Sequence, residues 1–326
     1  MDTYVDTETK AVSKEEETRV KALGFLKDKR TPDKFNCRVI TRNGKVTVAE
    51  AKRIAEAAER FGSGEVTMTA RLTMEIQGVP FDQIEELRAF LAEAGLETGG
   101  TGAKVRPVVS CKGTTCQYGL IDTFALSEEI HERFYHGYGQ MKLPHKFKIA
   151  VGGCPNNCLK PDLNDVGIIG QRVPQVDLEK CRGCKVCQIE KNCPIGAAKL
   201  VRENPVAAEA GCGQSNVSKV NADEAGKIVI DETACNHCGR CVGKCPFGAV
   251  ENYVNGYRIC IGGRWGKKMA QGHYLNKIFT DKEEVLDIVE RALLLFKEQG
   301  IAGERFTDTI ARLGFENVEA QLIGER

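Results

Sequence analysis

The stretch LPHKFKIAVGGCPNNC, residues 143–158, has a β-strand pattern with two lysines near its start and two cysteines just past its end. Lys146 and Lys148 are two residues apart, so in an extended chain their side chains point to the same face. Cys154 and Cys158 follow in a glycine-containing loop. The stretch therefore predicts a strand that carries positive charge on one face and leads into a loop of metal-binding thiols.

The composition is that of a globular protein with two or three domains. The chain has 326 residues, of which 42% are hydrophobic, and 46 basic and 45 acidic side chains leave a formal charge of +1. This balance gives no reason to expect nucleic acid as a partner. No apolar stretch approaches the ~18 residues of a membrane span. The acidic, polar N-terminus is unlike a secretory signal, so we expect a cytoplasmic protein.

The cysteine and glycine counts indicate metal. Fifteen cysteines without an export signal are expected to stay reduced rather than form disulfides. The 34 glycines are consistent with a backbone that wraps closely around a large cofactor or cluster.

The patterns predict an α/β (α+β) fold in which one module is interrupted by an insert. Strand and helix patterns over residues 35–95 form a βαββα unit, whose first helix starts at a capping box of Thr47 and Glu50. A second capping box, Thr280 with Glu283, starts a long helix near the C-terminus, and one further helix follows it. The predicted division is an N-terminal helical and polar segment (1–34), a half-domain (35–100), a cysteine-bearing domain in two parts (101–170 and 251–326) and a cysteine-dense insert (171–250).

The insert contains CRGCKVCQIEKNCP, residues 181–194, and CNHCGRCVGKCPFGA, residues 235–249. The second is the C-x2-C-x2-C-x3-C-P run of two-cluster bacterial ferredoxins, in which the fourth cysteine binds the other cluster. This spacing predicts one [4Fe–4S] cluster on Cys181, Cys184, Cys187 and Cys245, and another on Cys235, Cys238, Cys241 and Cys193. Zinc is the alternative, but it does not explain a third cysteine at the same stride followed by Cys-Pro in both copies.

Two more cysteine pairs lie outside the insert, each in a glycine-containing loop after a strand. They are Cys111 with Cys116, and Cys154 with Cys158. Four thiolates from two strand ends can hold a third [4Fe–4S] cluster, although spacing alone leaves a zinc site or a group of buried cysteines equally open. Cys37, Cys212 and Cys260 are predicted to be free thiols.

The residues around these pairs resemble the siroheme-dependent sulfite and nitrite reductases, from about residue 35 to the C-terminus apart from the insert. GCPNNC matches the family's second cysteine motif, which implies that Cys158 is the ligand shared by a cluster and the siroheme iron. TARLTMEIQG and VRPVVSC are similar to the family's arginine-containing segments, and LPHKFK to its lysine pair. The resemblance implies that the substrate anion is bound by Arg71, Arg106, Lys146 and Lys148. Arg264, Lys267 and Lys268 in GGRWGKK suit the carboxylates of siroheme.

The module combined with a ferredoxin insert is most similar to the anaerobic sulfite reductases. This implies six-electron reduction of sulfite to sulfide, with siroheme and three [4Fe–4S] clusters, and with iron–sulfur and flavin/NAD subunits as electron donors. The alternatives are nitrite reduction to ammonia, or a non-catalytic iron–sulfur carrier or siroheme-handling protein. Because the larger relatives contain two copies of this unit, a homo-oligomer in which two copies complete each other's pockets is a further hypothesis.

Overall fold

The computed structural model of the protein describes residues 12–31, 33–202 and 226–324. These residues form a four-stranded, a five-stranded and a two-stranded sheet, and the buried side chains form three separate hydrophobic clusters. The predicted α+β class is confirmed. Within the described ranges, no helix combines the length and apolar character needed to cross a membrane. Cys212 and the first eleven residues lie outside those ranges.

The first sheet belongs to the half-domain, whose elements are α1 Lys14–Ala22, β1 Phe25–Lys27, β2 Lys34–Val39, α2 Val48–Phe61, β3 Val66–Met68, β4 Met74–Pro80 and α3 Ile84–Ala92. The predicted βαββα order is found from β2 to α3. Strand β1, which lies in the segment predicted to be helical and polar, adds an edge strand to this sheet. The strands are antiparallel, in the order β1-β2-β4-β3. The capping box of α2 is confirmed, because the Thr47 hydroxyl accepts from the Glu50 amide and the Glu50 carboxylate accepts from the Thr47 amide.

The rest of the chain forms the cysteine-bearing domain and its insert. Its elements are β5 Val109–Ser110, α4 Thr123–Ile130, β6 Ile149–Gly152, β7 Val166–Pro174, α5 Gln188–Asn192, β8 Ala198–Val201, β9 Lys227–Ile230, β10 Tyr253–Ile261, β11 His273–Phe279, α6 Lys282–Gln299, α7 Phe306–Leu313 and α8 Phe315–Ile323. The five-stranded sheet has the order β11-β10-β7-β6-β5, with β5, β6 and β7 parallel and the others antiparallel.

A buried ion pair ties the start of β7 to the start of α7. The Arg305 guanidinium donates to both carboxylate oxygens of Asp165 at 3.1 and 3.0 Å, and the two side chains are 6% and 0% exposed. Asp165 also accepts a hydrogen bond of 2.8 Å from the backbone amide of Lys148. The pair therefore fixes the segment that carries the two lysines of the opening stretch.

The insert continues from the outer halves of β7 and β10. Their ladder runs from Ile261 opposite Val166 to Tyr253 opposite Pro174, so strand pairing continues past the boundary predicted at residue 170. Beyond it, β8 and β9 form an antiparallel pair. The insert is thus attached by an extended two-stranded ribbon rather than by a loose linker.

The structure differs from the sequence predictions at several element ends. Helix α6 begins after Asp281, whose carboxylate accepts from the Glu283 amide, so the predicted capping box of Thr280 is wrong. The last predicted helix is two helices, because Gly314 has a φ of 84° between α7 and α8. Strand β11 was not predicted, because its sequence HYLNKIF has little hydrophobic alternation.

We expect Asp165→Asn to lower the free energy of unfolding by about 3–5 kcal/mol, because Arg305 would stay buried without its counter-charge. Urea denaturation followed by circular dichroism measures this loss. The matched control is Glu86→Gln, which breaks an ion pair with Arg60 whose side chains are 60% and 57% exposed. This control should cost no more than about 1 kcal/mol. Equal losses in the two variants would contradict the role given to the buried pair.

Candidate active site

Parallel strands β5 and β6 bring the two cysteine pairs outside the insert together. Ser110 lies opposite Val151, so Cys111 and the Cys154 loop leave the sheet at the same edge. The Cys111 amide donates to the Val151 carbonyl at 3.1 Å, and the Gly153 amide donates to the Cys111 sulfur at 3.1 Å. Burial is the main cause of a raised pKa at Cys154, and the nearby thiols of Cys111, Cys158 and Cys116 raise it further. The four cysteines are therefore neighbours.

Two glycines allow these loops to approach. A Cβ at Gly113 would lie 2.8 Å from the Cα of Gly153 and 2.6 Å from the side chain of Thr123. A Cβ at Gly153 would lie 2.8 Å from the Cα of Gly113 and 3.5 Å from the sulfur of Cys111. Any larger residue at either position would separate the loops, and with them the two cysteine pairs.

The four basic residues expected at the substrate anion lie near one another, on different elements. Arg71 was predicted in a strand but lies in the turn between β3 and β4, and Arg106 precedes β5. Lys146 and Lys148 lie just before β6, not in it, on either side of Phe147, which is fully buried and forms a β-bridge with Val105. The alternation around Phe147 keeps both lysines on the side away from the hydrophobic core.

The pKa values of these residues indicate a crowded positive site. Burial, followed by the charge of Arg106, lowers the pKa of Arg71 to about 10. Burial, followed by the charges of Arg71 and Arg305, lowers the pKa of Lys148 to about 8. The pKa of Lys146 is lowered by burial and then by Arg305 and Arg106. Each positive charge thus makes protonation of the neighbouring basic side chains less favourable while no anion is bound.

The arginines also have donors that nothing in the described part of the chain satisfies. The Nε atoms of Arg71 and Arg106 are buried and have no hydrogen-bond partner among the described residues. The other donors of Arg71 are fixed, with Nη1 bonded to Asn164 at 3.0 Å and Nη2 to the Pro107 carbonyl at 2.7 Å. Buried unpaired donors of positive groups are what a small oxyanion would satisfy.

Sequence reasoning missed the residues that support this site, namely Asn164, Asp165 and Arg305. Asn164 holds Arg71, and Asp165 with Arg305 fixes the backbone of Lys148. The only sequence signal was the polar pair Asn164-Asp165 directly before the apolar strand β7. Arg305 is 140 positions away from its partner and gave no local signal.

The three basic residues expected at the siroheme carboxylates are in the loop after β10. The Arg264 backbone pairs with Ala270 in both directions, and its Nη1 donates to Asp308 at 3.2 and 3.3 Å. The charge of Arg264 contributes to the lowered pKa of Lys146, so this side chain lies near the basic group. Lys267 and Lys268 are exposed on the same loop.

Each cysteine set predicted in the insert lines its own cavity. One cavity is lined by Cys193, Cys235, Cys238 and Cys241, and the other by Cys181, Cys184, Cys187 and Cys245. In each cavity, three cysteines come from one motif and the fourth comes from the other motif, as the spacing predicts. The first set is the one next to the cysteine-bearing domain, because the Arg240 guanidinium lies 5.2 Å from the centroid of the Tyr118 ring. Cys238 also forms a β-bridge with Arg172, in the outer half of β7.

Comparison with known proteins identifies the family. The nitrite and sulphite reductase 4Fe-4S domain matches residues 101–326, and the nitrite/sulfite reductase ferredoxin-like half domain matches residues 27–94. This chain belongs to the nitrite and sulphite reductase family. The family resemblance seen in the sequence is thereby confirmed, and it implies iron–sulfur and siroheme cofactors.

Relatives within this family include a coenzyme F420-dependent sulfite reductase of Methanocaldococcus jannaschii, 29% identical over 82% of this chain and 38% of that protein. One component of the anaerobic sulfite reductase of Salmonella typhimurium is 29% identical over 40% of this chain and 42% of that protein. The chain thus spans less than half the length of these two relatives. The crystal structure of dissimilatory sulfite reductase I matches with a TM-score of 0.65 at 20% identity, covering 90% of this chain and 70% of that chain.

We predict that sulfite affinity weakens as the pH rises through about 8, where Lys148 loses its proton. The positive charge is present below this pKa and lost above it, so binding is tightest on the acid side of this step. Lys148→Arg should abolish the step, because arginine stays protonated. Lys148→Met should weaken affinity about 10- to 100-fold, the equivalent of the ~1.5–3 kcal/mol of a charged hydrogen bond. Titration calorimetry from pH 6.5 to 9 measures the sulfite affinity of each protein. Dividing the wild-type affinity by that of Lys148→Arg at each pH cancels the effect of sulfite's own protonation. The same step in both proteins would contradict this assignment.

Proposed function

We propose that this chain is the catalytic subunit of a siroheme-dependent sulfite reductase that converts sulfite to sulfide with six electrons. The observation that carries the proposal is that strand β6 positions both groups, because Lys148 of the crowded cations lies directly before it and Cys154 of the four cysteines lies after it. A pure electron carrier needs no anion pocket. Nitrite reduction to ammonia is the remaining alternative within the family.

The donor set fits the cofactors that the family implies. Cys111, Cys116, Cys154 and Cys158 would hold one [4Fe–4S] cluster, and Cys158 would also bind siroheme. Arg264, Lys267 and Lys268 would pair with siroheme carboxylates. When bound, siroheme and its cluster supply the metal that takes the sulfur atom and the electrons that reduce it. Cys158 is the exposed member of its group, which is consistent with a ligand shared with a second group.

The protein's own residues would bind and orient the oxyanion. Arg71 and Arg106 have buried Nε–H donors, unpaired within the described ranges, for the sulfite oxygens. Both side chains are half-buried, so their charges are screened little and would stabilise the negative charge that develops as S–O bonds break. Lys148, with a pKa of about 8, holds a proton near neutral pH and releases it more readily than an ordinary lysine. We therefore assign Lys148, with Lys146 beside it, as the proton source for the departing oxygens.

The insert would supply the electrons through two further [4Fe–4S] clusters. The set of Cys193, Cys235, Cys238 and Cys241 would be the nearer to the active site, because its loop contacts Arg172 and Tyr118. The set of Cys181, Cys184, Cys187 and Cys245 would receive electrons first. We propose iron–sulfur and flavin/NAD subunits as the donors, and pairing of two copies stays a further hypothesis.

The test of the function is anaerobic purification of the chain with its partner subunits, followed by visible spectra and turnover with sulfite and with nitrite. We expect a siroheme band that shifts on addition of sulfite, and a higher kcat/KM for sulfite than for nitrite. A higher kcat/KM for nitrite would favour the alternative. A protein with full iron content but no siroheme band would indicate an electron carrier.

We expect Cys158→Ser to abolish sulfide production and the magnetic coupling between siroheme and its cluster, while both insert clusters keep their electron paramagnetic resonance signals. Cys260→Ser is the control, because this thiol is fully buried in β10, donates to the Gly167 carbonyl, and has a pKa that burial raises to about 12. The control should retain all iron and activity. Sulfide production by the Cys158 variant would contradict the proposal that Cys158 binds both the cluster and siroheme.

A further inference from the structure

A group of potential metal ligands lies where the half-domain meets the cysteine-bearing domain, away from the cysteines. It consists of Glu97, near the end of the half-domain, and of His131 and His136, which follow α4. One ligand atom from each of the three lies within 4.8 Å of the others. None of the three has a role in the proposed sulfite chemistry.

A π-helical turn brings the two histidines together. The segment His131–His136 is a π-helix, and the Gly137 amide donates to the Glu132 carbonyl, five residues earlier, at 3.0 Å. In an α-helix, residues five apart would point about 140° away from each other. Here the two imidazole rings are 4.7 Å apart between centroids. Such turns often occur at functional sites, and this one has the specific effect of forming a two-histidine site.

The buried histidine lacks the partners that a buried imidazole normally has. His131 is 0% exposed, and neither of its ring nitrogens has a hydrogen-bond partner among the described residues. The nearest acceptor for Nε2 is the Glu97 carboxylate, at 3.7 Å, which is too long for a hydrogen bond. A buried imidazole without partners is costly, and a metal ion beside Nε2 would satisfy one of its two nitrogens.

We propose that Glu97, His131 and His136 bind one divalent transition-metal ion, most readily Zn²⁺. This ion would link the half-domain to the cysteine-bearing domain. This set of two imidazoles and one carboxylate is a typical zinc donor set, and a water molecule would complete a tetrahedron. The site opens on a cavity of about 280 Å³ that leaves room for this water. The proposal is independent of the sulfite reductase function.

The two donor distances at Glu97 fit an ion after a small movement of that side chain, and the histidine donor atoms lie within 4.8 Å of each other. Donors bound at ~2.0–2.1 Å in a tetrahedron lie about 3.3 Å apart. The Glu97 carboxylate oxygen is 2.7 Å from His136 Nε2 and 3.7 Å from His131 Nε2, so these distances lie on both sides of the required value. Glu97 is 43% exposed and free to shift by the few tenths of an ångström needed.

A second carboxylate already orients one of the proposed ligands. His136 Nδ1 lies 2.9 Å from the Glu132 carboxylate and Nε2 lies 2.7 Å from the Glu97 carboxylate, so without an ion both ring nitrogens donate to carboxylates. A metal ion would replace the proton on Nε2, while Glu132 would still accept from Nδ1. A carboxylate that fixes the tautomer of a histidine in this way is the usual outer partner of a metal-bound imidazole. The nearby Arg42 does not oppose a cation, because its guanidinium is paired with Glu50 at 2.6 Å.

The experiment measures zinc in the complete protein, with full iron and sulfide content, after removal of loosely bound metal. We expect about one equivalent of zinc, with a zinc-edge X-ray absorption spectrum showing nitrogen and oxygen ligands near ~2.0 Å and no sulfur at ~2.3 Å. His136→Ala and Glu97→Gln should each lose this zinc while keeping their iron. His273→Ala, at an exposed histidine elsewhere, should keep it.

Two results would overturn the proposal. One is a wild-type protein that has its full iron content but binds no zinc from a zinc-buffered solution. The other is zinc that remains in both site variants or has sulfur ligands, because it would then occupy cysteines. Variants that fold are recognised by unchanged iron content and circular dichroism. Because Glu97 and His136 are half-exposed, at least one of the two variants is expected to fold normally.

Discussion

The parallel pairing of β5 with β6 is the constraint on which the candidate site depends. It brings two cysteine loops, about 40 residues apart in sequence, to the same edge of the sheet, and Gly113 and Gly153 let them approach to backbone contact. The same strand β6 is preceded by the two lysines, so charge and thiols come from one short segment. The hydrophobic core behind it, with Phe147 packed on Phe296 and Phe306, fixes its position.

Holding several cations together without an anion costs free energy, and the structure offsets only part of that cost. Among the described residues, the Asp165 carboxylate raises the pKa of both Lys146 and Lys148 and so offsets part of the lowering. Asp165 is already paired with Arg305. Burial first, and then the remaining excess charge, lower the pKa of Lys148 and Arg71. An oxyanion would relieve this repulsion on binding, so the same crowding that destabilises the free site favours its proposed ligand.

Local features were predictable from the sequence, and contacts between distant residues were not. The capping box at Thr47, the βαββα order and the two interleaved cysteine sets depend on short spacings, and the structure brings those residues together as expected. The Asp165–Arg305 pair joins positions 140 apart, and no single-sequence pattern indicates it. The His131–His136 pair was invisible for another reason. Residues five apart in an α-helix point in different directions, so the sequence offered no reason to pair them. The π-helical turn is what brings the two rings together.

The way the insert is attached bears on how electrons would reach the active site. A flexible linker would let the insert move, but the β7–β10 ladder extends without a break from the core of the sheet to Tyr253 and Pro174. Contacts of Arg172 with Cys238 and His237, and of Arg240 with Tyr118, then hold one cysteine set against the domain that carries Cys116. Because electron transfer between clusters requires a short and constant separation, a rigid ribbon explains why the insert interrupts the sheet at this edge and not in a surface loop elsewhere.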